Sequence, residues 1–573
     1  MMEAPENPPE EPRRQDTTVG SGIDFSDPNS KLAPYYLRTT SVIFAGAIAL
    51  ILALYSQQSL YYTDVWVHLK HGSFIAETGK LTGPDPFSPF ADPHANRPAF
   101  YWLTQLGYHG LFQAGAKLAG GDESQRLAGG AELLRQGHTL AIVAIFALFW
   151  FGYRRVTASG SLALLGLLLL FAGAVATIGV HRPQLFALVW FAAIYAILAK
   201  ERLKIASLIA IPFLMVLWVN THGSYPVGLA LIAVTLIGRA WDSGLKNALA
   251  NRDWWRLLFA GAIGAAALSL LNPDGLRTWQ LTYGFSQSPN LRVMLEWQPL
   301  NFSDPQGGPW FYWGSLLLLA VAQALSPRGF TATEVLMTLT FGIAPLFQER
   351  FMAWWLPLCI GIILNHLNAW AAKNNWVWKP SLPSFRKTIL AVALLFFGVM
   401  LTPLATWAQG EAPQNPAAIL HPATPFGLSE AMDGRPAGER FAPLVQALKQ
   451  LNTDSALGPI FTSESLGEFL YWRGSPGTVP MIFTHAHLFP PEYWDAAMQA
   501  KSGRPGWWEF LDRYGVNIVA VEALQPNRQP LSLVLELAES PDWNVVIDER
   551  GRTDIRDPKA RIFVAVRKHP LKR

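Results

Sequence analysis

The sequence holds a single cysteine, Cys359, in 573 residues. That excludes a disulfide framework, a cysteine-based zinc site and an iron–sulfur cluster. Charge is also scarce: Asp, Glu, Lys and Arg together make up 15% of the chain, against roughly 25% in a soluble domain. The deficit is concentrated in the middle of the chain, much of which is nearly free of charge. Neither sign is in large excess. A net charge of +4 is too small for this size to point to a nucleic-acid partner, and none is expected. There is no repeat at solenoid periods. What is present is apolar: 51% of residues, with 23 Trp and 33 Phe, suited to hydrocarbon and interfacial surfaces. Wholly soluble, disordered and fibrous proteins are excluded, and the composition is that of a multi-span membrane protein.

Residues 1–40, rich in Pro, Glu and Asp, read as a disordered cytoplasmic tail. They do not read as a signal peptide, because the first apolar run starts near Ser41 and lacks a small-residue cleavage site. Runs long enough to cross about 30 Å of hydrocarbon recur near 41–57, 137–153, 159–179, 183–199, 205–220, 225–240, 256–271, 310–325, 331–347, 351–367 and 388–405. About eleven transmembrane helices are expected within 41–405, and 100–118 could be a further membrane-dipping helix. One set of loops carries Arg154, Arg155, Lys200, Arg202, Lys204, Arg239, Lys246, Arg252, Arg256, Arg328, Lys373, Lys379, Arg386 and Lys387. The alternate loops carry only Arg182, Arg277, Arg292 and Arg350, plus a few in the long outer loop 58–136. The basic set is cytoplasmic by the positive-inside rule, so the N-terminus is inside a plasma (inner) membrane and the C-terminal part outside. The basic loops hold no phosphate-binding glycine loop, which argues against a nucleotide-driven pump.

Beyond a Pro- and Gly-rich linker at 406–440, the composition changes. Strand-like runs at 458–463, 478–483, 516–522, 543–547 and 561–566 alternate with amphipathic stretches near 464–472, 490–501, 506–514 and 529–540. That pattern suggests a small extracytoplasmic α/β domain, 441–573, with a largely buried sheet.

The expected outer face gathers the polar features. Asp64 and His68 lie at i and i+4, on one face if the segment is helical. A carboxylate and an imidazole there could take a proton from an acceptor hydroxyl; an ordinary helix start, with Asp64 favoured by the dipole, is the alternative. Asp85 sits between Pro84 and Pro86 and could equally make a turn. His181 and Arg182 open the fourth span, Asn220 and His222 lie between the fifth and sixth, and Arg350 opens a later one. Guanidinium groups suit an anionic phosphate through charge-assisted bidentate bonds, or snorkel to lipid headgroups. His485 and His487 have a spacing that could ligate a metal, but without a third ligand they read as two loop histidines.

The run TDVWVHLKHGSFIAETGKLTGPDPFSPF resembles a pattern from large bacterial membrane proteins of the GT-C glycosyltransferase superfamily, relatives of protein O-mannosyltransferases and the aminoarabinose transferase. RPQLF at 182–186, LWVNTHGSYPVG at 217–228, SLLNPDG at 269–275, EWQP at 296–299 and ERFMAWWLPL at 349–358 continue the resemblance in order, and LGEFLYW, GWWEFLDRYGVNIVAVE and WNVVI resemble the outer α/β domain. The resemblance covers most of the chain. It implies a polytopic α-helical GT-C-like membrane protein, a sugar donor on polyprenyl phosphate delivered from the bilayer, and Asp64 as the base or acceptor-orienting acid. Two places depart from the pattern: Pro98-Ala99-Phe100-Tyr101-Trp102 lacks the expected His and acid, and Thr484-His485-Ala486 replaces an Asp-x-Arg. Asp85 is then the remaining candidate for a second acid.

The resulting expectation is a membrane glycosyltransferase with Asp64 as base. Arg182 or Arg350 would stabilise the leaving phosphate, and His68, Asn220 and His222 would shape the site. Its partners would be a lipid-linked sugar donor and membrane lipids. No bound metal is demanded, although Asp64, Asp85 and a histidine could supply ligands for a divalent ion. The alternatives are a non-catalytic envelope protein or polysaccharide- or lipid-assembly partner of the same fold and, third, a transporter, whose charges belong at the membrane midplane instead.

Overall fold

A computed structural model describes residues 30–57, 60, 64–174, 178, 181–200, 202–301, 308–376, 381–408, 458–473, 479–525, 528–552 and 561–571. Most of the expected tail, and the expected linker beyond 408, lie outside the described residues. Helices dominate. α1 (Thr39–Tyr55), α2 (Val65–Thr78), α3 (Trp102–Ala119) and α4 (Glu123–Thr157) lead into α5 (Gly160–Ala174), α6 (Gln184–Leu198), α7 (Ser207–Thr221) and α8 (Tyr225–Ser243). Then come α9 (Leu245–Ala250), α10 (Arg252–Leu270), α11 (Arg277–Gln287), α12 (Gly308–Leu325) and α13 (Ala332–Met337). α14 (Met352–Lys373), α15 (Phe385–Met400) and α16 (Pro403–Ala408) complete this part.

Each apolar run found in the sequence falls on a helix, the one at 331–347 continuing from α13 through a π-helical turn. Among the described residues, two helices, Gln125–Thr157 and Glu349–Lys373, are long and apolar enough to cross a membrane. The bundle interior is aromatic: Phe146, Phe149 and Tyr153 of α4, Phe191 of α6, Trp218 of α7 and Trp354 and Trp355 of α14 share one core. The outside is apolar as well, with Ile209 74% and Phe396 63% exposed, where a water-facing surface would turn polar.

The two ends of the bundle differ. Arg239 donates to the Leu198 and Lys200 carbonyls at 2.6 and 2.9 Å, Arg155 to the Ala196 carbonyl, and Arg256 to the Leu203 carbonyl at 2.8 Å. These guanidinium groups satisfy carbonyls at the end of α6 and in the loop that follows it. Arg182 precedes the other end of that helix, about 22 Å away at 1.5 Å per residue.

α2 and α3 pack backbone to backbone. A Cβ on Gly72 would lie 2.0 Å from the Gln105 carbonyl oxygen, so only glycine permits this approach. The contact fixes the helix that Asp64 and His68 begin.

The C-terminal residues form a four-stranded sheet of β1 (Ile460–Thr462), β2 (Ile518–Glu522), β3 (Trp543–Asp548) and β4 (Ile562–Arg567), in the order β1-β2-β4-β3. β1 runs parallel to β2, and the other pairs are antiparallel. α17 (Glu464–Arg473), α18 (Pro491–Lys501), α19 (Trp507–Arg513) and α20 (Ser532–Glu539) accompany it. Of the strand expected at 478–483, the described residues 479–483 form only an isolated parallel bridge beside β1, in which the Ile460 N–H donates to the Val479 carbonyl at 3.1 Å and the Met481 N–H to the Ile460 carbonyl at 3.0 Å. The sheet unit sits on the loop 58–136 and on the turn around Asn290. Val67 N–H donates to the buried Glu468 carboxyl at 3.0 Å, the Trp66 and Trp472 rings stack with centroids 4.6 Å apart, and Asn290 Nδ2 donates to the Ala486 and Phe489 carbonyls at 2.8 and 2.9 Å.

Candidate functional site

Between the bundle end and the sheet unit lies a cavity of about 880 Å³. Asp64, Tyr101, Arg182, His222, Glu296, Trp297 and Arg350 form one wall, and Glu464, His485, Asp495, Gln499, Arg504 and Glu522 belong to the other. Asp64 occupies the N-cap position of α2, yet its side chain makes no capping bond. Its Oδ1 is buried without a hydrogen-bond partner from another described residue, while Oδ2 lies 3.9 Å from His68 Nε2. Burial pushes the Asp64 carboxyl up to about 6, with Arg182 pulling down and Glu296 pushing up.

Arg182 forms an ion pair with Glu296, and Arg350 lies over the Trp297 ring at 4.2 Å. Burial raises the Glu296 carboxyl, but Arg182 and Arg350 more than offset it and hold it at about 2. His222 Nδ1 accepts the Ser224 backbone N–H at 3.1 Å and lies 2.8 Å from Ser224 Oγ. The neutral ring therefore carries its proton on Nε2. Burial first, then Arg350 and Arg182, hold that imidazole at about 3. An anion entering here would meet the Arg350 guanidinium, an N–H donor and an Arg182 already paired with Glu296.

The other expected residues lie elsewhere. Asn220 Oδ1 accepts from Trp102 Nε1 at 2.6 Å and Asn272 Nδ2 at 3.1 Å, and its Nδ2 donates to the Val216 and Leu271 carbonyls at 2.8 and 3.3 Å. It locks the end of α7 and is not part of the wall. Asp85 is likewise engaged. Its Oδ1 accepts the Phe87 and Ser88 N–H groups at 2.9 and 2.8 Å, and its Oδ2 bonds His71 Nε2 at 3.1 Å and Tyr471 OH at 2.6 Å. Burial raises that carboxyl, but His71, Tyr471 and the Phe87 N–H draw it down to about 2. Asp85 pins the turn to the sheet unit, away from the cavity. His181 is buried with its ring 5.1 Å from that of His138, behind the wall.

His68 is buried just behind Asp64, its Nδ1 3.2 Å from Gln105 Nε2 and its Nε2 3.4 Å from His485 Nε2. Ligating atoms of Asp64, His68 and His485 all lie within 4.8 Å of one another. Sequence reasoning gave no site role to Glu296, Tyr101 or Trp297 and left His485 without a third ligand. Glu296 carried one signal, an acid in a loop expected on the same face as both arginines.

No family model matches the chain, and no curated protein matches it. Among solved structures, it is similar to the oligosaccharyltransferase of Archaeoglobus fulgidus in the apo form, at 11% identity and a TM-score of 0.49, covering 84% of this chain and 69% of that one. It is similar to the mycobacterial arabinofuranosyltransferase AftD (mutant R1389S), at 17% identity and a TM-score of 0.46, over 93% of this chain and 42% of that one. ArnT from Cupriavidus metallidurans in the apo state gives 17% identity and a TM-score of 0.46, over 91% of this chain and 97% of that one. These neighbours are GT-C glycosyltransferases.

Proposed function

We propose that this protein is an integral-membrane glycosyltransferase that moves a sugar from a polyprenyl-phosphate donor to an acceptor hydroxyl. The observation that carries the reading is Asp64: a carboxylate with a bare oxygen, raised to about 6, in a cavity that also holds Arg182, Arg350 and His222. A base just below neutral is ionised at pH 7 and still a stronger proton acceptor than an ordinary carboxylate. In the step, Asp64 takes the acceptor proton as the oxygen bonds to the anomeric carbon. The bond from that carbon to the donor phosphate breaks, and the polyprenyl phosphate leaves with the electron pair. Arg350, fixed over Trp297, and Arg182 offer charge to the departing phosphate.

The membrane part of the proposal takes all eleven apolar helices as crossings. Their apolar exteriors and the arginines clustered at one bundle end support it, and the cavity then opens on the outer side. The test is transfer by the purified protein against a panel of polyprenyl-phosphate sugars, with Asp64→Asn as control. Activity lost in that variant supports the reading, and equal activity in both removes Asp64 from the mechanism. A non-catalytic protein of the same fold is favoured by one observation, that Asp85 is fully engaged away from the cavity. Absence of transfer across the whole panel selects that reading.

A further inference from the structure

The stretch 98–102 carries no histidine or acid, yet hydrogen bonds hold it on both sides of Tyr101. The Ala99 N–H donates to Asp274 Oδ2 at 2.7 Å, Trp102 Nε1 to Asn220 Oδ1 at 2.6 Å, and Thr104 Oγ1 to the Thr221 carbonyl at 2.9 Å. Phe100 is buried against Gly223, where a Cβ would come within 2.8 Å of its ring. Asn220, itself outside the wall, thus anchors a residue that belongs to it. Tyr101 is half-buried and lines the cavity. Its ring lies 4.8 Å from that of His68, the neighbour of Asp64, and 5.5 Å from that of His222, on which Arg350 and Arg182 both act. No described residue hydrogen-bonds its hydroxyl. A side chain kept for packing alone needs no hydroxyl, as the adjacent Phe100, 1% exposed, illustrates. We propose that the Tyr101 hydroxyl binds a hydroxyl of the donor sugar.

The assignment rests on the transferase reading, which puts the acceptor at Asp64 and the donor phosphate at Arg350. The attacking oxygen, the anomeric carbon and the leaving oxygen must stand in a row. The sugar therefore occupies the space between those two groups, and Tyr101 faces that space with an uncommitted O–H. Burial pushes the phenol up, Arg350 pulls it down, and Asp64 and Glu296 push it up further. It stays protonated across the physiological range, so its O–H donates to a sugar oxygen while its lone pairs accept from a sugar O–H. A neutral phenol adds no charge beside the phosphate, and its contribution falls on the sugar rather than on the anion.

The test reads binding and not turnover, so it fails separately from the transferase reading. Full-length protein in detergent is titrated by calorimetry with two kinds of ligand of equal charge. One is a panel of farnesyl phosphoryl sugars carrying uncharged hexoses and pentoses; the other is methyl farnesyl phosphate, which has no sugar. Wild type should bind at least one sugar-bearing ligand more tightly than the methyl ester. Tyr101→Phe keeps the ring and removes one hydrogen bond, so that ligand should bind about 2- to 12-fold more weakly, with affinity for the methyl ester unchanged. Tyr283→Phe, at a residue 70% exposed and outside the cavity lining, should match wild type on both. Wild type that prefers no sugar-bearing ligand overturns the proposal without any variant having to fold. Tyr101→Phe that keeps the full preference, or that weakens both ligands alike, overturns it too and leaves a packing role. The Tyr101 signature in a protein that transfers nothing would sink the transferase reading and keep this one.

Discussion

Replacing Asp64 by Asn should remove activity and stabilise the fold at once. The Asp64 carboxyl titrates near 6 in the folded protein, against 3.8 as its ordinary value. Two units at about 1.36 kcal/mol each amount to about 3 kcal/mol. The side chain is 29% exposed to the cavity, so this is a ceiling. The sign follows from linkage. Below the ordinary value both folded and unfolded chains are protonated and nothing is gained or lost. As pH rises from about 4 to 6 the unfolded chain sheds the proton first, so the wild type loses stability, and above about 6 the full penalty persists. Asn carries no such penalty. Thermal unfolding followed by tryptophan fluorescence should place Asp64→Asn about 1–2 °C above wild type at pH 7. The gap should close as pH falls from 6 to 4. The same variant should transfer sugar about 10²–10⁴-fold more slowly, and the wild-type rate should fall about tenfold per pH unit below 6. A melting gap that is negative at pH 7, or that does not change with pH, would refute the assignment of a strained, desolvated carboxylate.

Three further outcomes are expected. Arg350→Lys loses both the planar fork and the stacking on Trp297, so donor affinity should drop about ten- to a hundred-fold, worth about 1.5–3 kcal/mol, with acceptor KM changed less; donor and acceptor titrations read the difference. Burial holds Glu468 well above the ordinary range as a neutral acid, so Glu468→Gln should melt near wild type. Glu468→Ala strands the Val67 N–H, costs about 1–3 kcal/mol and should speed hydrogen exchange at Val67. A reporter active only in the cytoplasm, fused after Arg573, should stay silent, and strong signal there would sink the eleven-span topology.

Much of the helical layout could be read in the sequence because apolar runs and helices answer to the same local physics. Four of the five strand-like runs also appear as strands, while the fifth makes only an isolated bridge to Ile460. The i, i+4 spacing likewise puts Asp64 beside His68. The rest of the site depends on contacts that no local pattern encodes. Glu296 reaches Arg182 across 114 residues, and His485 reaches His68 across 417. Asp85 looked available in sequence because its captors, His71 and Tyr471, include one 386 residues away. Asn220 looked like a site residue because it stands beside His222, yet its side chain is consumed by Trp102, Asn272 and two helix carbonyls.

The cavity wall has a consequence for biogenesis. Asp64, Arg182 and Arg350 are all synthesised before the opposing surface, which runs from Glu464 to Glu522. A nascent chain stopped before that stretch would hold a raised carboxylate and two guanidinium groups facing open solvent, where water returns the carboxylate to an ordinary acid. The reactive character of the site is thus a late product of synthesis. On the function proposed above, truncated chains and stalled intermediates would be chemically quiet, unable to spend a donor.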